Sequence, residues 1–356
     1  MEREIEAARK RKDEHLRIAA EEPSVQRPGA GTGLEALQFE MLSLPELDLD
    51  AVDTRVTLLG KALRAPLLVG AMTGGTADAG AVNRILAAAA ERAGVGFCLG
   101  SQRPMLDGDE DARRSFALRE VAPSTLICGN IGAIQLRDAP PGAIDMLAES
   151  VGANAMFVHL NPLQEAVQPE GDRDWRGVFE ALAHAVGEAT TPVLVKEVGA
   201  GLSRATLEAL ALTGIAGVET AGVGGTSWSQ IEALRHGGRT PRAIAGSVLA
   251  GFGTPTAQSV RMARAAFPGR VVVGSGGLRN GLEAAKCIAL GADAVAMAWP
   301  FLVAARSGRD PERAIEAVVT EIEGVIETLR ITMFLVGTPT ISHLASAPLQ
   351  PRPVVG

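Results

Sequence analysis

The feature that most limits what this chain can become is a phrase repeated eight times along its 356 residues. Each repeat is a short apolar run, then a Gly-rich or polar turn, then a helical stretch rich in Ala, Leu and Glu. The runs are 65–71, 95–99, 125–129, 155–159, 193–197, 217–221, 271–274 and 294–298. Their near-continuous apolar character is what parallel strands covered on both faces require. Between them, stretches such as 83–92, 204–213 and 280–290 carry apolar residues at helical spacing. Eightfold strand–helix alternation predicts an α/β fold, a closed (β/α)8 TIM barrel, over an open sheet of six or seven strands.

Residues 1–55 precede the first run and hold a charged helix followed by the Pro/Gly-bearing segment 28–33. They are expected to form an N-terminal extension packed on a barrel spanning 56–345, with 346–356 as a C-terminal tail. The segment 164–177 is polar and Gly/Pro-rich and reads as a long loop after the fourth strand. A hydrophobic content of 47% supports a large core, whereas 3% aromatics and no Tyr weigh against a β-sandwich or a base-stacking surface. The net charge of -7 likewise argues against nucleic acid as a partner. Cys98, Cys128 and Cys287 lack metal-ligand spacing and read as buried free thiols of a reducing, cytoplasmic setting. The opening MEREIEAARKRKDEHL has no apolar stretch of a signal peptide, and no run approaches the roughly 18 apolar residues of a membrane span, so a soluble protein is expected.

Barrel chemistry sits at the carboxyl ends of the strands. Reading just past each run gives Met72-Thr73-Gly74-Gly75, Gly100-Ser101-Gln102-Arg103, Asn130-Ile131-Gly132, His159-Leu160-Asn161 with Gln164-Glu165, Lys196-Glu197, Gly224-Gly225-Thr226, Ser275-Gly276-Gly277, and Met297-Ala298. Tight turns need a Gly or two, but not His, Asn, Gln, Glu, Lys and Arg on one rim, so an enzyme is indicated. Gly274–Gly281 follows the seventh run and opens a helix; its glycines let backbone N–H groups approach a phosphate, either a substrate's or that of FMN. Lys196 is placed to stabilise a negatively charged reduced flavin, or else pairs with neighbouring Glu197. Thr73, Ser101, Asn130 and Thr226 offer hydrogen bonds to a flavin's polar rim, or cap turns.

The rim segments AMTGGT (71–76), GSQR (100–103), GNIG (129–132), HLNPLQEAVQPEGD (159–172), VKEVGAG (195–201), GVGGTSW (222–228) and SGGLRNG (275–281), with RKRKDEHLRIA at 9–19, resemble the type 2 isopentenyl-diphosphate isomerases. The resemblance runs from about residue 9 to Leu344. It implies interconversion of isopentenyl and dimethylallyl diphosphate in isoprenoid biosynthesis, with reduced FMN as acid/base cofactor, NADPH as reductant and Mg2+ on the diphosphate. It implies a homo-oligomer, tetramer or octamer. Carried over, Gln164 lies by the alkene and Glu165 binds Mg2+, while His159 and Asn161 contact the diphosphate or orient its neighbours; Gln164, His159 and Lys196 are the expected catalytic residues. The diphosphate clamp maps onto Arg11, Lys12, His15, Ser101, Gln102 and Arg103. FMN contacts map onto Ala71, Met72, Thr73, Ser101, Asn130, Lys196, Thr226, Gly276, Gly277, Met297 and Ala298. The family's W-G-I-P-T segment reads Gly251-Phe252-Gly253-Thr254-Pro255-Thr256 here, which keeps the turn. The loop Pro140-Pro141-Gly142 has no functional reading.

Two alternatives make different predictions. An FMN-dependent 2-hydroxy-acid oxidase or dehydrogenase uses a His-Gly-Gly-Arg motif directly after the sixth strand. Here His236-Gly237-Gly238-Arg239 instead follows the helical stretch 229–235, so Gly237 reads as a helix cap and His236 and Arg239 as solvated. A non-catalytic flavin-binding barrel would keep the FMN rim while losing Gln164 and Glu165, and both sets are present.

Overall fold

The computed structural model describes residues 2–352 apart from 27, 28, 30, 107 and 238. Part of the expected Pro/Gly segment at 28–33, namely Pro28 and Ala30, and Gly238 of the His-Gly-Gly-Arg motif therefore lie outside the described residues. Eight parallel strands close into a barrel: β1 (Leu67–Val69), β2 (Gly96–Cys98), β3 (Ile127–Gly132), β4 (Ala155–Leu160), β5 (Val193–Glu197), β6 (Gly217–Glu219), β7 (Val271–Ser275) and β8 (Ala294–Met297). Each overlaps an expected run, with β3 reaching three residues past its run, to Gly132. Neighbours pair in chain order, and β8 closes on β1 through Val295–Leu67 and Met297–Val69.

The inward side chains fill the barrel. Leu68, Cys98, Cys128, Ala155, Phe157, Leu194, Val273 and Ala296 form one buried apolar cluster. A hairpin, Val56–Leu58 paired with Lys61–Leu63, turns through Leu59 and Gly60, both at positive φ. It sends Leu58 and Leu63 into that cluster and so seals the barrel floor. The mouth at the other end is where polar side chains gather.

Seven helices matter to the site: α1 (Glu2–Glu21), α2 (Ala77–Ala93), α3 (Pro162–Val167), α4 (Trp228–Arg235), α5 (Gly281–Ala289), α6 (Trp299–Ser307) and α7 (Pro311–Val336). Their ends carry the expected chemistry. Thr76 caps α2 by accepting from Ala79 N–H, Asn280 caps α5 by accepting from Glu283 N–H, and Gly337 ends α7 in the left-handed region. α5 and α7 pack closely; a Cβ on Gly281 would come within 2.2 Å of the Val325 carbonyl oxygen. Such contact anchors the helix that follows the β7 turn.

One expectation changes. The segment 164–177 is not loop throughout, because α3 carries it as far as Val167. Pro162 at the first helical turn, where its missing N–H costs nothing, is the local cause. In the extension, α1 packs against α2, α4 and α6 and lies over the mouth. Gln350–Pro351 near the other end of the chain pairs with Leu37–Gln38 of that extension.

Candidate active site

Two adjoining cavities open at the mouth, and they share Ala71, Met72, Ser101, Lys196, His15, Val198 and Trp228 as a common wall. The first offers about 1100 Å³ of empty space, counted out to where it opens to solvent, and admits a cofactor-sized ligand. Met72, Thr73, Met297 and Ala298 line it on one side and Gly225, Thr226, Gly276 and Gly277 on the other. The glycines are required. Gly277 sits at φ +77° and a Cβ there would lie 2.1 Å from the Gly224 carbonyl oxygen; a Cβ on Gly225 would lie 2.5 Å from Gly277 N. Two turns, after β6 and β7, thus run backbone against backbone and leave a cradle that side chains would fill, as a phosphate site needs. Arg279 completes that rim, stacked over Trp299 at 4.1 Å and donating to Gln26 at 2.6 Å.

Lys196, at the end of β5, is buried, and its Nζ donates to the backbone oxygen of Glu197 at 2.6 Å. The anticipated side-chain pairing with Glu197 does not form. That carboxylate instead accepts from the N–H groups of Val198, Gly199 and Ala200, clamping the next turn. Burial nevertheless pushes the Glu197 carboxyl up, against those three bonds. The acid that faces Lys196 is Glu219, its cross-strand partner on β6, at 3.9 Å.

The second cavity, about 850 Å³, is the polar one. Arg11, Ser101, Arg103, Asn130, His159, Asn161, Gln164 and Glu165 all reach it. Asn161 Nδ2 donates to Glu165 Oε1 at 2.9 Å and to Gln164 Oε1 at 3.2 Å, tying the pair together at the start of α3. Glu165 Oε2 accepts from Asp172 N–H at 2.8 Å, and burial raises its carboxyl despite these bonds. A Cβ on Gly171 would strike the Glu165 backbone oxygen at 2.1 Å, so the chain can fold back on α3 only through a glycine.

His159 is held neutral: burial, then the positive charges of Lys196 and Lys12, pull it down to about 3. Its Nδ1 lies 2.7 Å from Asn130 Oδ1, while Asn130 Nδ2 donates to the Leu99 carbonyl oxygen. That arrangement puts the single ring hydrogen on Nδ1 and leaves Nε2 as an acceptor.

α1 closes over both cavities from the same chain. Lys12 Nζ donates to the Gly74 carbonyl oxygen at 2.5 Å, and Arg11 pairs with Glu170 at 3.5 Å. His15 Nε2 meets Glu232 Oε1 at 2.8 Å and stands edge-on to Trp228, while burial lowers its basicity. Glu232 is fully buried on α4, and its other oxygen takes Arg235 at 2.5 Å. Gln164 Nε2 reaches it at 3.4 Å, and Gln168, with its amide turned to suit both neighbours, bridges it to Arg11.

Every expected site residue but one lines a cavity. The exception is Gln102, which is fully buried below the rim. Its Nε2 donates to the Leu147 oxygen and its Oε1 accepts from Asn130 N–H, so it braces β3 and has no path to a diphosphate. Sequence reading passed over Glu219 and Glu232. Glu232 left a trace, a lone carboxylate four residues after Trp228 on a face otherwise made of Ser229, Ile231 and Ala233.

Other candidates fall away. The three cysteines are free and buried; Cys98, sharing a hydrogen bond with Cys128, is held well above a reactive thiol's range. His236 caps α4 with Gly237 at φ +70°, as expected, and lines neither cavity. It is half-buried rather than solvated, with Nε2 enclosed and unpartnered among the described residues. No described helix is long and apolar enough to cross a membrane.

Known proteins fit this arrangement. Residues 235–351 match the family model of FMN-dependent dehydrogenases. A mandelate oxidase structure with (S)-2-phenylpropionate superposes with TM-score 0.64 at 19% identity, covering 99% of this chain and 98% of that one, which speaks to the fold. Isopentenyl-diphosphate delta-isomerase of Stutzerimonas stutzeri is 43% identical over 340 residues, 95% of this chain and 96% of that protein. The proteins of the same name from Rickettsia bellii and Methanosarcina barkeri are 40% and 38% identical, over 96% and 97% of this chain and 97% and 92% of theirs. Identity at this level over almost the whole length means that the chain belongs to the isopentenyl-diphosphate delta-isomerase family.

Proposed function

We propose that the chain is the FMN-dependent, type 2 form of this isomerase and interconverts isopentenyl and dimethylallyl diphosphate. The observation that carries the reading is the pair of cavities with a common wall: a glycine cradle of cofactor size beside a polar chamber holding Gln164 and Glu165. The cradle that a Cβ would fill, with Lys196 fixed at its edge, suits a flavin and its phosphate. Reduced FMN, when bound, supplies acid/base chemistry for moving a proton on and off an unactivated alkene without net redox change. NADPH is the proposed reductant.

The residues divide the remaining work. Gln164, tethered to Asn161 and Glu232, orients the alkene end of the substrate at the common wall. Glu165 is the proposed Mg2+ ligand. Among the described residues no three His, Cys, Asp or Glu side chains gather to hold a metal, so the diphosphate and waters must complete the shell, as Mg2+ commonly arranges. Arg11, Lys12 and Arg103 bring positive charge to the diphosphate. His159, with Nε2 lacking a hydrogen, would accept a hydrogen bond from a protonated diphosphate oxygen or from water beside it. α1 and Trp228 exclude bulk water above the wall. A cytoplasmic homo-oligomer is part of the same reading.

The test is anaerobic incubation with isopentenyl diphosphate, Mg2+, FMN and NADPH in D2O, followed by NMR. Deuterated dimethylallyl diphosphate that depends on FMN is the expected product. Flavin-loaded protein that leaves the diphosphate unchanged would sink the proposal, and a 2-hydroxy acid oxidised in its place would establish the rival.

A further inference from the structure

Directly under the common wall lies a carboxylate with no assigned task. Glu219 ends β6, lines the first cavity, and is 4% exposed. Its Oε1 accepts from Ser275 Oγ at 2.8 Å, but its Oε2 is buried and has no hydrogen-bond partner among the described residues. Beneath it is the apolar plug of the barrel, with Cys98, Cys128 and Leu194, where an isolated charge is costly. Among the described residues the opposite charge within ion-pair distance is Lys196 Nζ at 3.9 Å, the loose limit of an ion pair.

That looseness is informative. Lys196 is already held by the Glu197 backbone oxygen at 2.6 Å, so it does not need Glu219 to stay in place. The lysine is aimed by the backbone and is faced, from the next strand, by an acid of equal and opposite charge.

We propose that Glu219 is the counter-charge of Lys196, offsetting that lysine's charge at the flavin-facing wall and so limiting how strongly the site favours a negatively charged reduced ring. Glu219 is a positioning residue in the electrostatic sense, since it acts on the ring through the field of the pair. The wall would then suit a cofactor that must give and take protons more than one held permanently as an anion. The inference rests on FMN occupying the first cavity.

The experiment compares full-length wild type and Glu219→Gln, each loaded with FMN. Fluorescence titration gives FMN affinity, spectroelectrochemistry gives the reduced-to-oxidised ratio at fixed potential, and a pH titration of the reduced spectrum gives the N1 proton. Gln keeps the acceptor for Ser275 and removes the charge, so affinity should stay within about threefold. The reduced-to-oxidised ratio should rise at least tenfold, about 30 mV for a two-electron couple, and N1 should lose its proton at lower pH. Glu219→Asp, which retains the charge, should return the ratio to within twofold of wild type. Should the Gln variant fail to fold, Glu219→Met removes the same charge with a side chain suited to the apolar floor and reads the same quantity. An unchanged ratio overturns the inference, as does a fall, which would mean that Glu219 holds the lysine rather than offsetting it. A wild type that binds no FMN overturns the reading of the cavity as well, so the two failures are distinguishable.

Discussion

His159 shows how much turns on one hydrogen. With Nδ1 committed to Asn130 and the ring held down to about 3, it is neutral at any working pH. In the unfolded chain the same imidazole titrates near its ordinary value of about 6.5. Between those values the unfolded state binds the extra proton, so the contribution to stability is lost as pH falls from about 6.5 toward 3 and is absent as a variable above 6.5. Chemical denaturation of wild type and His159→Gln at pH 7.5 and pH 5 isolates this contribution. The stability advantage of wild type should shrink by about 2 kcal/mol on acidification, from the span between pH 6.5 and 5; an advantage that stays constant would mean the ring is protonated in the fold. Glu165 makes the companion case for metal. Its Gln variant should keep FMN and lose at least about 100-fold in Mg2+-dependent turnover, and wild-type rates across a Mg2+ titration would remove Glu165 from the metal site.

At the scale of elements, the turns after β6 and β7 are where local sequence is most binding. Gly277→Ala places a methyl group against the Gly224 oxygen at a φ of +77°, a conformation that costs an Ala roughly 1 kcal/mol before any clash. FMN affinity by fluorescence quenching should weaken at least tenfold, and equal affinity would mean that the two turns separate freely. These turns were legible beforehand because glycine at a strand end has few other reasons to cluster. So were the eight strands, since parallel strands buried on both faces leave long apolar runs. Gln102 was not, because what turns it inward is distant in sequence: the Leu147 carbonyl oxygen that its amide donates to and the Asn130 N–H that it accepts from. The α3 helix was missed because the polar stretch outweighed Pro162, a helix-start signal. Glu219 and Glu232 were illegible for a deeper reason. One gains meaning only from the register that sets β6 beside β5, the other only from α1 folding back over α4, and neither relation is local in sequence.

For the molecule as a whole, the question is which chain completes which site. α1 crosses the mouth of its own barrel: Lys12 reaches Gly74 and His15 reaches Glu232, within one chain. An oligomer assembled on this plan contains independent sites, each with its own lid and its own α3. Two inactive variants then cannot rescue one another. Lys12→Ala damages the lid side and Glu165→Gln the metal side, on opposite parts of the same site. If the lid came from a neighbour, a mixed assembly would pair an intact lid with an intact α3 at some interfaces. Random mixing of equal amounts would restore about a quarter of the sites, a clear signal over two dead parents. Co-expressing the two variants with different affinity tags, isolating doubly tagged assemblies and assaying isomerisation should give no more than the sum of the parents. Recovery near that quarter would show that α1 exchanges between subunits, and that the closed single-chain site is one of two ways this helix can be used.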